Sequence, residues 1–393
     1  MNLVLIDPPS RERFYPLAST RPVGAFRIGI LTIKEKWERH TQCPVSYKTA
    51  EPIQEKYPCL ITDDDTVFIN AGVCPNVLLA EEIKHLTPGD ALKYKGELIA
   101  AKLKEPQKLN FSGLTFYDTQ AEELSVINQL PDLFTYNDRE IRADFALLTQ
   151  GRASQPLPAH NTLIGDASQL FIEAGAKVNA SILNTQSGPI YIGADAEVME
   201  GCMVRGPFAM CEHSVLKMGA KIYGATTLGP ECRAGGEVNN SLMFGYSNKG
   251  HDGFLGNSVL GEWCNIGADS NNSNLKNNYA EVKLWNYKND KFDRTGLQFC
   301  GLIMGDHSKC AINTMFNTGT VVGVACNIFG SGFPRNFVPD FSWGGAHGME
   351  VYQVNKVFEV AELVMQRRHL SLSEIDKKIL NSVFEQTAKY RKF

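Results

Sequence analysis

A period of six residues limits what this chain can fold into more than any other feature. From Ile192 the residues at successive sixes are Val198, Val204, Met210, Leu216, Ile222 and Leu228, all apolar. Four positions after each stand Ala196, Cys202, Phe208, Ser214, Ala220, Thr226 and Cys232, all small except Phe208. The register is lost in the Gly- and Asn-rich stretch from Gly235 to Gly253 and returns briefly at Leu260 and Ile266. It resumes at Met304, Cys310, Phe316, Val322 and Ile328, followed at the small position by Ser308, Thr314, Thr320 and Cys326. Six is neither the helical period nor the alternation of a hairpin strand. It fits a triangular prism wound from short flat strands. One side chain per hexad fills the interior and a small one sits near each corner. Three hexads, about 18 residues, make a coil that covers the apolar face of its neighbour. Gly193, Gly229, Gly267, Gly305 and Gly323 follow apolar positions and are expected in turns of positive φ.

The remainder is arranged around that prism. A chain of 393 residues is long for a single core and two domains are expected. Residues 1–155 read as an α/β domain that opens on the strand Met1-Asn-Leu-Val-Leu-Ile-Asp7, with further strands at Thr66–Asn70 and Gly96–Ala101. Gly151 to Pro158 reads as a linker. Residues 156–347 read as a left-handed parallel β-helix and 348–393 as a helical segment. In that segment Gly348 to Arg368 has helical periodicity and Ser371 with Glu374 forms a capping-box pattern. These helices are expected to cap the open end of the prism.

Charge and composition exclude several classes. The formal net charge is −4 and no long run carries one sign, which argues against a nucleic-acid or anionic-membrane binder. No stretch of 18 apolar residues and no charged-then-apolar leader is present, so no membrane span is expected. The ten cysteines never pair as C-x-x-C, so neither a zinc ribbon nor a redox motif is indicated, and a reduced cytoplasmic protein is expected.

The run Lys249-Gly-His-Asp-Gly-Phe-Leu-Gly-Asn257, continued by Leu260-Gly-Glu-Trp-Cys-Asn-Ile-Gly-Ala268, carries a resemblance. Behind an N-terminal α/β domain, these hexads resemble the bifunctional N-acetylglucosamine-1-phosphate uridyltransferase/glucosamine-1-phosphate acetyltransferase family, in a variant branch of Bacteroidetes type. The acetyltransferase half of that family has the same Gly-His, Leu-Gly and Asn-Ile-Gly-Ala succession, with the spacing found here from His251 to Asn265. The resemblance is specific over about residues 160 to 345. It implies a nucleotidyltransferase-like domain ahead of a hexapeptide-repeat acyltransferase, acting in UDP-N-acetylglucosamine biosynthesis for the cell envelope. It implies His251 as general base, needed because a sugar amine is an ammonium at neutral pH and must lose a proton before attacking a thioester. By the same resemblance Asn265 and Asn274 surround the amino sugar and Ala268 offers its backbone to the acetyl-CoA thioester. Glu237 falls on an acidic position that orients the base or the amine. A homotrimer with CoA between subunits is expected.

Two departures stand out. Phe254 replaces a tyrosine that contacts the sugar, and Asn239 replaces a lysine that grips the sugar phosphate. Arg205, Lys217, Arg233 and Lys249 are the candidates to supply that charge. The density of amides from Asn271 to Asn278 suits either a polar cleft or turns that satisfy their own backbone.

The first domain departs further. Uridyltransferases of this family follow their first strand with a glycine-rich loop that brings backbone N–H groups onto phosphates. Here Asp7-Pro-Pro-Ser-Arg-Glu-Arg-Phe-Tyr-Pro-Leu17 lacks those glycines, although Arg13 falls on the loop's arginine position. Arg13, Arg21 and Lys36 are candidate nucleotide-binding residues, with Arg27 and Lys34 in the same basic cluster. Mg²⁺ is expected only if this domain is active, with Asp63-Asp64-Asp65 as the available carboxylates. UTP and UDP-sugars are then possible ligands. Two other readings remain open: a non-catalytic nucleotide-sugar-binding scaffold, and a metal-dependent enzyme of carbonic-anhydrase type using His213, His251 and His307.

Overall fold

The computed structural model describes residues 1–62 and 65–393. The chain divides into two compact units. The first holds 1–11, 21–26 and 31–132; the second holds 12–20, 27–30 and 133–393.

The first unit is an α/β layer. β1 (Asn2–Ile6), β2 (Val45–Lys48), β3 (Thr66–Asn70), β4 (Asp90–Tyr94), β5 (Glu97–Lys102) and β6 (Thr115–Asp118) form a sheet of order β2-β1-β3-β5-β4-β6. β1 lies centrally, parallel to both neighbours, and its Leu3, Val4 and Leu5 are fully buried, as a strand covered on both faces requires. β5 runs antiparallel to β3 and β4. α1 (Ile33–Thr41) starts at a capping box between Thr32 and Glu35, and its Trp37 donates to the Val73 carbonyl at 2.9 Å. α2 (Ile53–Lys56) and α3 (Val77–Lys84) complete the unit.

The second unit is the expected left-handed parallel β-helix, entered through α4 (Asp132–Thr149). Its strands stack into three faces of six, nine and ten strands among the described residues. The first face runs through Ile182–Asn184, Met203–Arg205, Lys221–Tyr223, Glu237–Asn239 and Phe254–Gly256. The second runs through Ile190–Ile192, Phe208–Met210, Thr226–Leu228 and Leu302–Met304, and the third through Val215–Leu216, Arg233–Ala234, Asn248–Lys249, Asn265–Ile266 and Lys309–Cys310. Every hexad residue from Ile192 to Leu228 is buried in one continuous core, and the small positions Ser214 and Thr226 are buried beside it.

The gap in the hexad register has a metrical cause. Met203 pairs with Lys221 and Val215 with Arg233, each 18 residues on. The next coils are shorter: Arg233 pairs with Asn248 and Glu237 with Phe254, 15 and 17 residues on. Val259 then pairs with Ile303, because an excursion bearing the antiparallel hairpin Lys283–Asn286/Lys291–Arg294 leaves the coil and returns to it.

The corner glycines act differently from the expectation. None of Gly193, Gly229, Gly267, Gly305 and Gly323 has positive φ. They are glycine because the adjacent coil passes too close: a Cβ at Gly229 would lie 1.8 Å from the Phe244 carbonyl oxygen, and one at Gly267 would lie 2.3 Å from the Ala311 carbonyl carbon. The left-handed residue comes two positions later, at Asp195, Glu231, Asp269, His307 and Ala325.

The C-terminal segment also differs. Gly348–Val351 is a strand that closes the third face, and the helix α5 runs only over Val354–Gln366. α6 (Glu374–Gln386) is capped by Ser373 with Asp376 rather than by Ser371 with Glu374. Both helices lie along the flank instead of over the open end. Their apolar stripe, including Val357, Ala361 and Met365, packs on Trp263, Val324 and Phe341. Among the described residues no helix is long and apolar enough to cross a membrane.

Candidate active site

The site forms at the edge where the third face turns into the first. Short corner loops stack there coil upon coil, and one of them, Gly250–Gly253, carries His251. Two constraints shape it from below. Gly236, at φ +68°, lies directly under the loop, and a Cβ there would meet the His251 carbonyl oxygen at 2.9 Å. The Glu237 N–H donates to the Gly253 carbonyl at 3.1 Å, joining the two coils.

A cleft of about 780 Å³ extends from this edge across the third face to α5. His251, Asn265 and Ala268 line it, with Lys217 and Arg233. The register explains the grouping. On this face Arg233, Asn248, Asn265 and Lys309 are successive ladder partners whose side chains alternate outward from the buried row Ala234, Ile266 and Cys310. α5 adds Val360 and Val364 to the wall, with Arg367 and Arg368 just beyond its C-terminus. At the far edge Tyr246 and Trp263 stack with ring centroids 4.3 Å apart.

The cleft is positively charged. Arg368 pairs with Glu231 at 3.0 Å, but among the described residues Lys217, Arg233, Lys309 and Arg367 make no ion pair. Burial lowers the Arg233 pKa, and the neighbouring Arg368 and Arg367 charges lower it further. Lys309 donates to the His307 carbonyl at 2.9 Å, and burial pulls its pKa down to about 8. In the floor, the buried Asn248 Oδ1 has no hydrogen-bond donor among the described residues.

The other sequence candidates lie elsewhere. Lys249 does not reach the cleft: it points into the prism, is 1% exposed, and donates from Nζ to the His251 carbonyl at 2.6 Å. Lys249 is therefore not placed to grip a sugar phosphate in this cleft. Arg205 lines a second cleft of about 760 Å³ on the first face, together with Lys221, Tyr223, Asn184 and Asn239. Glu237 stands on that face between Lys221 and Phe254, and its carboxylate accepts the Tyr223 hydroxyl. This bond and partial burial push the Tyr223 pKa up to about 12. Asn274 donates to Asn257 Oδ1 at 2.8 Å and is not in the His251 cleft. Its neighbours serve the backbone: Asn271 Oδ1 accepts the Phe254 N–H, and Asn272 bonds both the N–H and the carbonyl of Gly256.

The first unit holds no glycine-rich loop after β1. Asp7 braces that turn instead, accepting from Val23 N–H at 2.8 Å and Thr49 at 2.5 Å and pairing with Arg11 at 3.0 Å. Burial raises its pKa despite the Arg11 charge. Of the nucleotide candidates, Arg21 is 4% and Lys36 is 1% exposed, and Arg13 belongs to the second unit. Arg27 is structural, bonding the Phe244 and Ile30 carbonyls, and Lys34 pairs with Glu38. Asp63 and Asp64 lie outside the described residues, and Asp65 is engaged by the Met1 ammonium and Lys102. Of that run, the one described carboxylate is thus engaged by two cations. Nor do His213, His251 and His307 gather: no cluster of three or more metal-ligating side chains occurs among the described residues.

Tyr246, Trp263, Lys221, Lys309 and Arg367 line the two clefts in addition to the residues expected from the sequence. The signal for Lys309 lay one residue before the interior position Cys310, as Arg233 lies one before Ala234. The aromatic pair and α5 could be found only once the coils were stacked.

Residues 3–153 match the family model described as sugar nucleotidyl transferase. The bifunctional protein GlmU of Methanocaldococcus jannaschii is 32% identical over 90 residues, which are 23% of this chain and 21% of that protein. The chain thus matches about a fifth of that relative's length. Among solved structures, UDP-N-acetylglucosamine acyltransferases from Arabidopsis and Campylobacter jejuni align over 60% and 61% of this chain and 94% and 92% of theirs. Identities are 12% and 13% and TM-scores 0.22 and 0.18, values at which the likeness carries no argument. The family match supports the part of the resemblance that concerns the N-terminal region: a nucleotidyltransferase-like domain precedes the β-helix.

Proposed function

We propose that this chain transfers the acetyl group of acetyl-CoA to the amine of glucosamine-1-phosphate, yielding N-acetylglucosamine-1-phosphate. The observation that carries this reading is the convergence of His251, Asn265 and Ala268 on one cationic cleft. His251 takes a proton from the sugar ammonium or from the amine as it attacks. The nitrogen forms a bond to the thioester carbonyl carbon, and the Ala268 N–H steadies the developing oxyanion. The carbon–sulfur bond then breaks, and the departing CoA thiolate takes the proton held by His251 and leaves as the thiol.

The rest of the cleft suits CoA. Lys217, Arg233, Lys309 and Arg367 match a ligand with several phosphates, and charge-assisted contacts of this kind are the strong ones. The Tyr246–Trp263 pair offers a base a stacking surface at the edge opposite His251. Asn248 Oδ1 awaits an N–H donor, which a pantetheine amide supplies. The sugar reaches around the edge, its phosphate held by Arg205 and Lys221 beside Asn239, while Asn265 orients a hydroxyl. Glu237 and Asn274 act from the first-face side. Exposed Ile164, Ile182 and Met203 on that face suit packing against a second copy, in keeping with a homotrimer. Ten free thiols and a CoA substrate are consistent with a reducing cytoplasm.

For the first domain, nucleotide-sugar binding without transfer is the second reading. It is favoured by the braced Asp7 turn.

The test is to incubate the protein with acetyl-CoA and glucosamine-1-phosphate and to look for the N-acetylated product by mass spectrometry. Product formation supports the proposal. No product from any of a panel of amino-sugar phosphates overturns it.

A further inference from the structure

The interior of the third face is built from Val198, Leu216, Ala234, Ile266 and Cys310, with one exception in the middle of the row. That exception is Lys249, the ladder partner of Ala234. Its stem lies among Leu255, Ile266, Leu302 and Phe316 around a void of only about 10 Å³. An ammonium here loses its hydration, and an aliphatic side chain would fill the slot without that loss. The next coil repeats the anomaly on the first face. Asn272 fills an interior slot there, with both ends of its amide bonded to Gly256.

Both polar groups brace the chain segment that starts at His251. The Lys249 ammonium donates to the His251 carbonyl at 2.6 Å, and Asn272 holds the strand that follows. The loop between them has glycines at 250 and 253, so its backbone has wide freedom unless something fixes it. We propose that Lys249 is a positioning residue: from inside the prism its ammonium fixes the His251 carbonyl, and thereby aims the imidazole into the cleft. This rests on the reading of His251 as the base.

The charged groups facing Lys249 are Asp252, which favours its ammonium, and Lys221, which opposes it; the Cys310 thiol also faces it. Burial outweighs them and lowers the pKa from 10.5 to about 8. The hydrogen bond is therefore charge-assisted below about pH 8 and weakens above it. Stability runs the other way. Between pH 8 and 10.5 the unfolded chain holds the proton and the folded chain does not, so stability rises with pH across that window. A merely structural lysine would not set activity against stability in this way.

The experiment compares wild type with Lys249→Met in full-length protein. Three quantities are read: melting temperature, thiol release with acetyl-CoA and glucosamine-1-phosphate, and amide-exchange protection at residues 250–254. The proposal expects a melting temperature equal to or above wild type, and kcat lowered about tenfold or more with KM for acetyl-CoA little changed. It also expects protection lost at 250–254 and no alkaline fall in kcat near pH 8. Unchanged kcat and protection overturn it, as does a joint fall of melting temperature and kcat with the pH profile intact. If the variant does not fold, protection at 250–254 in wild type is followed across pH 8 after correction for intrinsic exchange. A decline supports the tether and a flat profile overturns it. Absence of thiol release from wild type would overturn the reading of His251 and leave the tether to the exchange measurement.

Discussion

The Tyr287 hydroxyl donates to Asp340 Oδ2 at 2.9 Å, and no surface of that aspartate reaches solvent. The other carboxylate oxygen accepts the Val324 N–H at 2.7 Å. One acidic side chain thus joins the hairpin excursion to the last coils of the prism. Replacing it with alanine leaves a buried N–H and a buried hydroxyl without their acceptor, a loss of about 3 kcal/mol; asparagine keeps an acceptor and costs about 1 kcal/mol. Burial raises the Asp340 pKa above 3.8 in the folded state. Over the interval between the two pKa values the folded chain holds a proton that the unfolded chain has released. Stability therefore falls as pH rises through that interval. Asp340→Asn is expected to remove the decline, which urea titrations at several pH values will read.

The corner glycines make a second test. A Cβ at Gly229 would lie 1.8 Å from the Phe244 carbonyl oxygen, whereas Gly219, at φ +70°, has nothing within 4 Å of that position. Gly229→Ala must push two coils apart and is expected to cost about 3 kcal/mol, at the upper end of overpacking penalties. Gly219→Ala meets only the left-handed backbone penalty of about 1 kcal/mol. Thermal melts of the two variants should separate clearly. Equal losses would mean that the coils do not approach as closely as described.

The cations of the cleft predict a split in kinetic constants. Arg233→Ala and Lys309→Ala each remove a charge that bears on CoA rather than on the reacting atoms. KM for acetyl-CoA should rise about tenfold, with kcat changed by less than about twofold. Added salt should weaken acetyl-CoA binding to wild type more than to either variant. A fall in kcat with KM unchanged would instead place these residues at the chemistry.

The prism was legible because one interior side chain per hexad leaves a periodic trace, which the buried row from Ile192 to Leu228 reproduces. What the sequence hid follows from coil stacking. Gly193 and Gly229 are small because another coil crosses them, a contact 15 to 18 residues away that local turn chemistry cannot register. Lys249 resembled a surface cation because the 15- and 17-residue coils around it had broken the count that would have marked its slot as interior. His251, Asn265 and Ala268 were found through a short motif and do share one cleft. Glu237 and Asn274 came from the same resemblance and lie outside that cleft. Trp263 and Arg367 reach it from segments about 100 residues apart in the chain, and no spacing rule links them.

The central claim is that His251 takes the proton from the amine, and the thiol-release rate of His251→Ala beside wild type tests it most directly. With the fold and assembly state of the variant verified, the account predicts kcat lower by about 100- to 10,000-fold. A variant rate within about twofold of wild type would contradict it, because losing a general base costs far more than that.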